Sequence, residues 1–466
     1  MNLKLYKLIC KQCDSILNSK RSNINTVAIS SLHIMKEHPE IIKQIFGNKK
    51  KLALSKNILI KILNYLINFF IEKENFYFSK KIKKSCDVLI VSNLINEKFC
   101  NDSKDFYFGD IEKNLKKSKL RTFTALRNFT DKKSSYLKKK INRNKILFSE
   151  RTGLFFEIKL IFFMFFEFFN VRKIINSEIK NDKAFDLKSF ISVRTIATNL
   201  RFANQVKELV ISLKPKLLII PFEGHAWERV VIKIVKEISK NIKVAAYQFS
   251  IKTENQHSLF RPLKKEYNPD VLLTSGLITK KIFKKKYNCK IKILGSNKFT
   301  NKKRSTKSKK NFLILPEAFE SEMKLLYDFA NQAAKKYPEY KFIYRCHPMS
   351  LNYLKNYDKS KLKNLIISKN SLMKDISLCK FTIFRGSASV FQSISSGLIP
   401  IYLDRKNEFN INPLYSVLPK RLVVKKPNDL DLIIKYKKKD KLLKKIKNYN
   451  KNYFMRLKPN VIKSII

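Results

Sequence analysis

Residues 380–403 read KFTIFRGSASVFQSISSGLIPIYL. The run 380–385 is apolar without strict alternation, the signature of a strand covered on both faces. Gly386 and Ser387 break it, 389–396 has the spacing of a short helix, and Gly397 stops that helix. The run 398–403 (LIPIYL) is a second strand of the first kind. A strand, a helix and a strand in so short a span form a parallel crossover unit, which places this part of the chain in the α/β class.

The same alternation extends in both directions. After a lysine-rich interval, 311–316 (NFLILP) reads as a strand, 320–336 as a helix, 340–345 (YKFIYR) as a strand and 372–379 as a short helix. Upstream, 216–221 (KLLIIP), 243–249 (KVAAYQF) and 270–275 (DVLLTS) are strands, with helices at 226–239 and 277–285. The run 86–92 (CDVLIVS) is an earlier strand of that sheet, whereas 1–80 and 95–200 read mostly as helix. Between the short runs 291–295 (IKILG) and 311–316 lies 298–310 (KFTNKKRSTKSKK), a solvated linker. The expected architecture is two Rossmann-like domains facing a cleft, with additional N-terminal helices. Its divisions are an N-terminal Rossmann-like domain with helical insertions over 1–297, the linker over 298–310, and a C-terminal Rossmann-like domain over 311–466.

The chain has 466 residues with 44% hydrophobic content, enough for ordinary cores, and this excludes a disordered protein. Its formal net charge is +61, carried by 82 Lys and only 16 Arg spread along the whole length. That pattern is compatible with compositional drift on solvated surfaces, with an anionic membrane or substrate, or with nucleic acid. Specific nucleic-acid recognition favours clustered Arg, so a specific nucleic-acid partner is not expected. The seven Cys are scattered, and Cys10 and Cys13 lack a second pair at zinc spacing, so both are read as thiols on a helix face. No secretory signal is evident near Met1, and a cytoplasmic location is expected.

Two apolar stretches raise the membrane question: 57–71 (NILIKILNYLINFFI) and 154–170 (LFFEIKLIFFMFFEFFN). Glu157, Lys159 and Glu167 make the second costly as a span. It is read first as a buried helix and second as a helix lying in the interface, with the protein peripheral on the inner face of the cytoplasmic membrane.

Ligands of open parallel sheets bind beyond the carboxyl ends of the strands. Three such places carry polar residues. Glu223 and His225 follow the strand 216–221 within PFEGHAWE; a partly shielded carboxylate there suits a general base. Arg345, His347 and Pro348 end the strand 340–345 and offer donors to a phosphate. Arg385, Gly386, Ser387, Ser389 and Gln392 form a strand–turn–helix unit that suits an anion but is neither a dinucleotide fingerprint nor a Walker loop. Asp429 and Asp431 lie in a lysine-rich late segment, so no metal motif accompanies the cleft strands.

In their order these motifs resemble the donor domain of GT-B-fold nucleotide-sugar enzymes. Glu223-Gly224, His347-Pro348 and Ser387-x-Ser389 look like the carboxylate-Gly, His-Pro and Ser motifs of bacterial sialyltransferases and capsule polysaccharide glycosyltransferases. PFEGHAWE, AYQFS around Gln248 and LPEAFESE look like a group of bacterial surface-carbohydrate (capsule and lipopolysaccharide) biosynthesis proteins. The resemblance implies that Glu223 deprotonates an acceptor hydroxyl; His225, whose neutral imidazole can also take a proton near pH 7, is its natural substitute. It implies that His347 contacts the donor phosphate, and that Ser387 and Ser389 hold the phosphate or a sugar carboxylate. Glu317 and Ser321 would face the same cleft. Phe222 stands where the sialyltransferase motif has its first acidic residue. The resemblance implies a metal-independent glycosyltransferase without a cofactor, its nucleotide-sugar donor being a substrate and its acceptor a glycan or lipid-linked glycan. UDP-N-acetylglucosamine 2-epimerases share the His-Pro and Gly-Ser features, with Ser393 where they carry Glu, and are the enzymatic alternative. A non-enzymatic polyanion binder is the third.

Overall fold

A computed structural model describes residues 3–34, 38, 76–78, 85–102, 104–142, 144–179, 191–299, 310–347, 362–406, 408–435 and 441–466. It contains two sheets, each covered by helices. The first has strands β1 (Phe76–Phe78), β2 (Val88–Leu94), β3 (Thr122–Asn128), β4 (Lys145–Phe148), β5 (Leu217–Pro221), β6 (Lys243–Gln248), β7 (Val271–Thr274) and β8 (Lys290–Ile293). Their spatial order is β1-β4-β3-β2-β5-β6-β7-β8, and every pairing is parallel except that of β1 with β4. The second sheet has β9 (Phe312–Leu315), β10 (Phe342–Tyr344), β11 (Leu365–Ile367), β12 (Phe381–Phe384), β13 (Ile399–Leu403) and β14 (Val423–Val424). It is wholly parallel, in the order β11-β10-β9-β12-β13-β14.

From β2 onward the first sheet, and the whole of the second, follow one rule. The chain steps outward on one side, returns to the centre and steps outward on the other. This is the doubly wound Rossmann order, and its reversal leaves a crevice between two central strands. In the first sheet the crevice lies between β2 and β5, and in the second between β9 and β12. The expected α/β architecture of two Rossmann-like domains is therefore present.

Alternating side chains of β2 serve two cores. Leu89 and Val91 pack under the helices Leu3–Asn18, Leu154–Glu178, Thr195–Leu213 and Ala226–Ile238, while Val88 and Ile90 face the other layer. Cys10 and Cys13 are buried free thiols on the first of these helices.

Several expectations need correcting. The stretch 95–200, expected to be mostly helical, also supplies β3 and β4 between its helices. Their strand character is masked by inward polar residues: Thr124 donates to buried Glu112 at 2.6 Å, and the buried Lys145 ammonium donates to the carbonyls of Phe99 and Asp102. The last residues do not stay with the second sheet. Ile462 and Ile465 join the core of the first, after the chain passes Ser296 and Leu294 with backbone bonds from Ser296 to Met455 and from Lys458 to Leu294. Phe409 of the second domain packs against Tyr6 in the first core. Of the linker 298–310, residues 300–309 lie outside the described residues, as does all of 57–71.

The carboxyl edges of the two sheets face each other. Ile251, just past β6, belongs to the second core, and the Lys252 amide donates to the Tyr453 hydroxyl at 2.6 Å. Asn410, past β13, donates to Glu254 at 3.3 Å.

Candidate active site

The crevice of the first sheet opens where β5 runs into Phe222, Glu223, Gly224 and His225 before the helix Ala226–Ile238. One side chain shapes this loop. The buried Glu228 carboxylate, in the helix's first turn, accepts the amides of Glu223 at 2.9 Å, Gly224 at 2.7 Å and His225 at 3.0 Å. The loop needs Gly224, whose φ of +83° is in the left-handed region and whose Cβ would lie 2.2 Å from the Ser258 carbonyl oxygen. The Ser258 hydroxyl in turn donates to the Glu223 carbonyl at 3.0 Å.

Held this way, Glu223 and His225 are only partly covered, with Nε2 of His225 3.4 Å from Oε2 of Glu223. Burial pushes the Glu228 carboxyl up to about 7 against the pull of His225, and Glu223 adds to the rise. For His225, burial opposes charging, but the Glu228 and Glu223 carboxylates outweigh it and raise its pKa. Arg127, at the end of β3, lies over the rings of Phe202 and Trp227, and burial lowers its pKa to about 10. The result is an acid–base group of two carboxyls and an imidazole, able to hold or pass a proton near neutral pH.

In the second sheet, Glu317 follows β9 and Gly386 follows β12, so both stand at the crevice. Buried His38 from the N-terminal segment stacks on Phe319 with centroids 4.3 Å apart. Its Nε2 lies 3.5 Å from Glu317 and 3.9 Å from Glu322. Ser387 is buried just past β12, Ser389 is the N-cap residue of the helix Val390–Ser395, and Gln392 is half-buried on that helix. Ser321 is in the first turn of the helix Glu320–Lys336, and His347 is half-buried after β10. Pro348 lies outside the described residues.

The two arginines expected to meet a donor are engaged elsewhere. Arg385 is 1% exposed, with Nε 2.8 Å from Glu322 and a terminal nitrogen 2.7 Å from Glu408. Arg345 donates to the fully buried Asp375 at 2.8 Å and to the Asn370 carbonyl. Both guanidiniums brace the second domain from within, because each strand end sits beside a buried carboxylate that requires a counter-charge.

Sequence reading also missed Glu228, Arg127 and His38. For Glu228 a signal existed, since it stands three residues after His225 at capping-box spacing. Among the described residues there is no group of three or more His, Cys, Asp or Glu that could hold a metal ion, and no helix long and apolar enough to cross a membrane.

No family model matches the chain, and no curated protein does. Solved structures of similar shape include a glycosyltransferase from Streptomyces nogalater, at 8% identity and a TM-score of 0.49 over 82% of this chain and 100% of that one. Another is the UDP-GlcNAc 2-epimerase of Neisseria meningitidis bound to UDP-GlcNAc, at 13% and 0.44 over 81% and 98%. A third is the UDP-GlcNAc 2-epimerase of Methanocaldococcus jannaschii, at 12% and 0.42 over 81% and 99%.

Proposed function

We propose that the protein is a glycosyltransferase that moves a sugar from a nucleotide-sugar donor to a surface polysaccharide or lipid-linked glycan on the cytoplasmic side of the membrane. The observation that carries this reading is the Glu223–His225 pair, set by Glu228 at the crevice of one Rossmann sheet whose carboxyl edge faces that of another. A general base on one wall and a nucleotide crevice on the other is what transfer between two separately bound substrates requires.

In the proposed reaction, Glu223 takes the proton of the acceptor hydroxyl as that oxygen bonds to the anomeric carbon of the donor. The bond from that carbon to the phosphate oxygen breaks, and the nucleotide leaves with the electron pair. As an imidazolium His225 balances the charge on Glu223, and in its neutral form it can accept the proton in place of Glu223. His347, Ser387 and Ser389 supply hydrogen-bond donors for the leaving phosphate, while Glu317, Ser321 and Gln392 border the same crevice. No step requires a metal or a cofactor.

The test is a thermal-shift screen against CMP, UDP, GDP and CDP, followed by assay of the matching nucleotide sugars with and without glycan acceptors. A ligand at ~100 times its dissociation constant adds about 2.7 kcal/mol to stability, which is readily detected. Donor consumption that depends on an acceptor supports transfer. Turnover of a nucleotide sugar without any acceptor would instead favour the epimerase. Binding to polyanions with no nucleotide response would remove both.

A further inference from the structure

The helix Leu154–Glu178 carries apolar residues on both faces. Two of its three acids, Glu157 and Glu167, face the protein, and Glu178 at its end is exposed: Glu157 takes a two-point contact from Arg201 at 2.6 and 2.7 Å, and Glu167 accepts from Thr26 at 2.5 Å and from Asn23 and Asn170. Its aromatic residues face out, with Phe155 89%, Phe166 65%, Phe165 59% and Phe162 56% exposed. Sequence reading placed this stretch first in a core, and the exposures overturn that. An ordinary surface helix puts charge outward and apolar groups inward. Here hydrogen-bonded Glu157 and Glu167 join Leu160, Val171, Ile174 and Ile175 on the inner face, and the outer apolar ridge has no partner among the described residues. Contiguous exposed apolar surface of this kind marks an interaction site.

The charges beside the ridge identify its occupant. From Phe155 to Lys173 the exposed side carries Lys159, Arg172 and Lys173 and no acid. The chain as a whole carries +61, so a second copy would bring like charge to like charge, while an anionic lipid surface would gain from both terms. The helix is about 37 Å long at 1.5 Å per residue, and Glu157 and Glu167 are bonded into the protein, so it cannot turn to span a bilayer. We infer that this helix lies flat in an anionic membrane interface, its Phe ridge among the acyl chains and its cations at the headgroups. The inference is independent of the transferase reading.

The experiment is co-sedimentation of the full chain with phosphatidylcholine vesicles, with and without phosphatidylglycerol, at low and high salt. The wild type is expected to bind the anionic vesicles and to lose binding as salt rises. The double variant Phe165→Ser/Phe166→Ser should bind about tenfold or more weakly. Its thermal midpoint should be unchanged, because both rings point away from the core. Phe166→Trp should show a blue-shifted emission on those vesicles only. Equal binding of wild type and double variant, or no binding by either, overturns the inference. So does a lipid-free dimer, seen by sedimentation velocity, that the double variant abolishes.

Discussion

The Glu317 carboxylate occupies the space that a side chain on Gly386 would fill: a Cβ there would lie 1.7 Å from Oε1 of Glu317. These residues lie just past the ends of β9 and β12, the two strands that flank the crevice of the second sheet. Gly386→Ala must displace a buried carboxylate from beside His38. The expected cost is about 1–3 kcal/mol of stability, the usual penalty for overpacking. In a Glu317→Ala background the same change should cost much less, because the overlap is gone. Urea unfolding of the four proteins checks this, and equal costs in both backgrounds would contradict it.

Glu223→Gln keeps shape and loses the ability to take a proton. If Glu223 is the base, turnover should fall by ~10²–10⁴ while donor binding stays within a few-fold, since the donor contacts proposed above belong to the other sheet. A purely structural role predicts the opposite: near-normal turnover per folded molecule and a lower unfolding midpoint. Full activity in both Glu223→Gln and His225→Ala would end the assignment of chemistry to this loop.

What could be read from the sequence follows from which information is local. The unit 380–403 was legible because strand, Gly turn and helix succeed one another along the chain, and the structure places them at Phe381–Phe384, Val390–Ser395 and Ile399–Leu403. β3 and β4 were not legible, because Thr124 and Lys145 make strands buried through polar contacts look unlike apolar runs. In the site, strand ends could be located but side-chain partners could not. Arg385 is spoken for by Glu322 and Glu408, and Arg345 by Asp375, all distant in sequence. His38 reaches the second sheet from a segment whose pattern said nothing about where it would pack.

That division predicts a contrast between mutants of the second domain. His347→Ala and Ser387→Ala each remove one donor proposed for the charged phosphate, so nucleotide-sugar binding should weaken by roughly 1.5–3 kcal/mol with little change in folding. Arg385→Ala instead takes the guanidinium from the buried Glu322, while Glu408 keeps Arg405 at 2.9 Å. Breaking a buried pair from one side costs about 3–5 kcal/mol, so this variant should unfold early or fail to accumulate. Calorimetric titration with the donor and urea midpoints separate the two classes. Unchanged affinity in both His347→Ala and Ser387→Ala would move the donor elsewhere.

Glu228 supplies the pH test. Burial raises its carboxyl from 4.5 to about 7, so the folded protein keeps a proton that the unfolded chain releases between those values. That contribution to stability is complete below about 4.5 and is lost as pH rises through 7. The raised pKa of His225 acts in the same sense, its contribution being present below 6.5 and lost above its folded value. Gln at position 228 cannot titrate, and it removes the charge that favours the imidazolium. Two outcomes are expected for Glu228→Gln. The stability difference, wild type minus variant, should shrink between pH 5 and pH 8, and the His225 pKa read from its ring proton resonances should fall. Gln also keeps one acceptor oxygen for the three loop amides where the carboxylate has two, so Glu223 should be less well placed and turnover should drop even at the optimum pH. A stability difference that is flat with pH, together with an unmoved His225 titration, would mean that Glu228 only caps its helix and that the three groups do not share a proton.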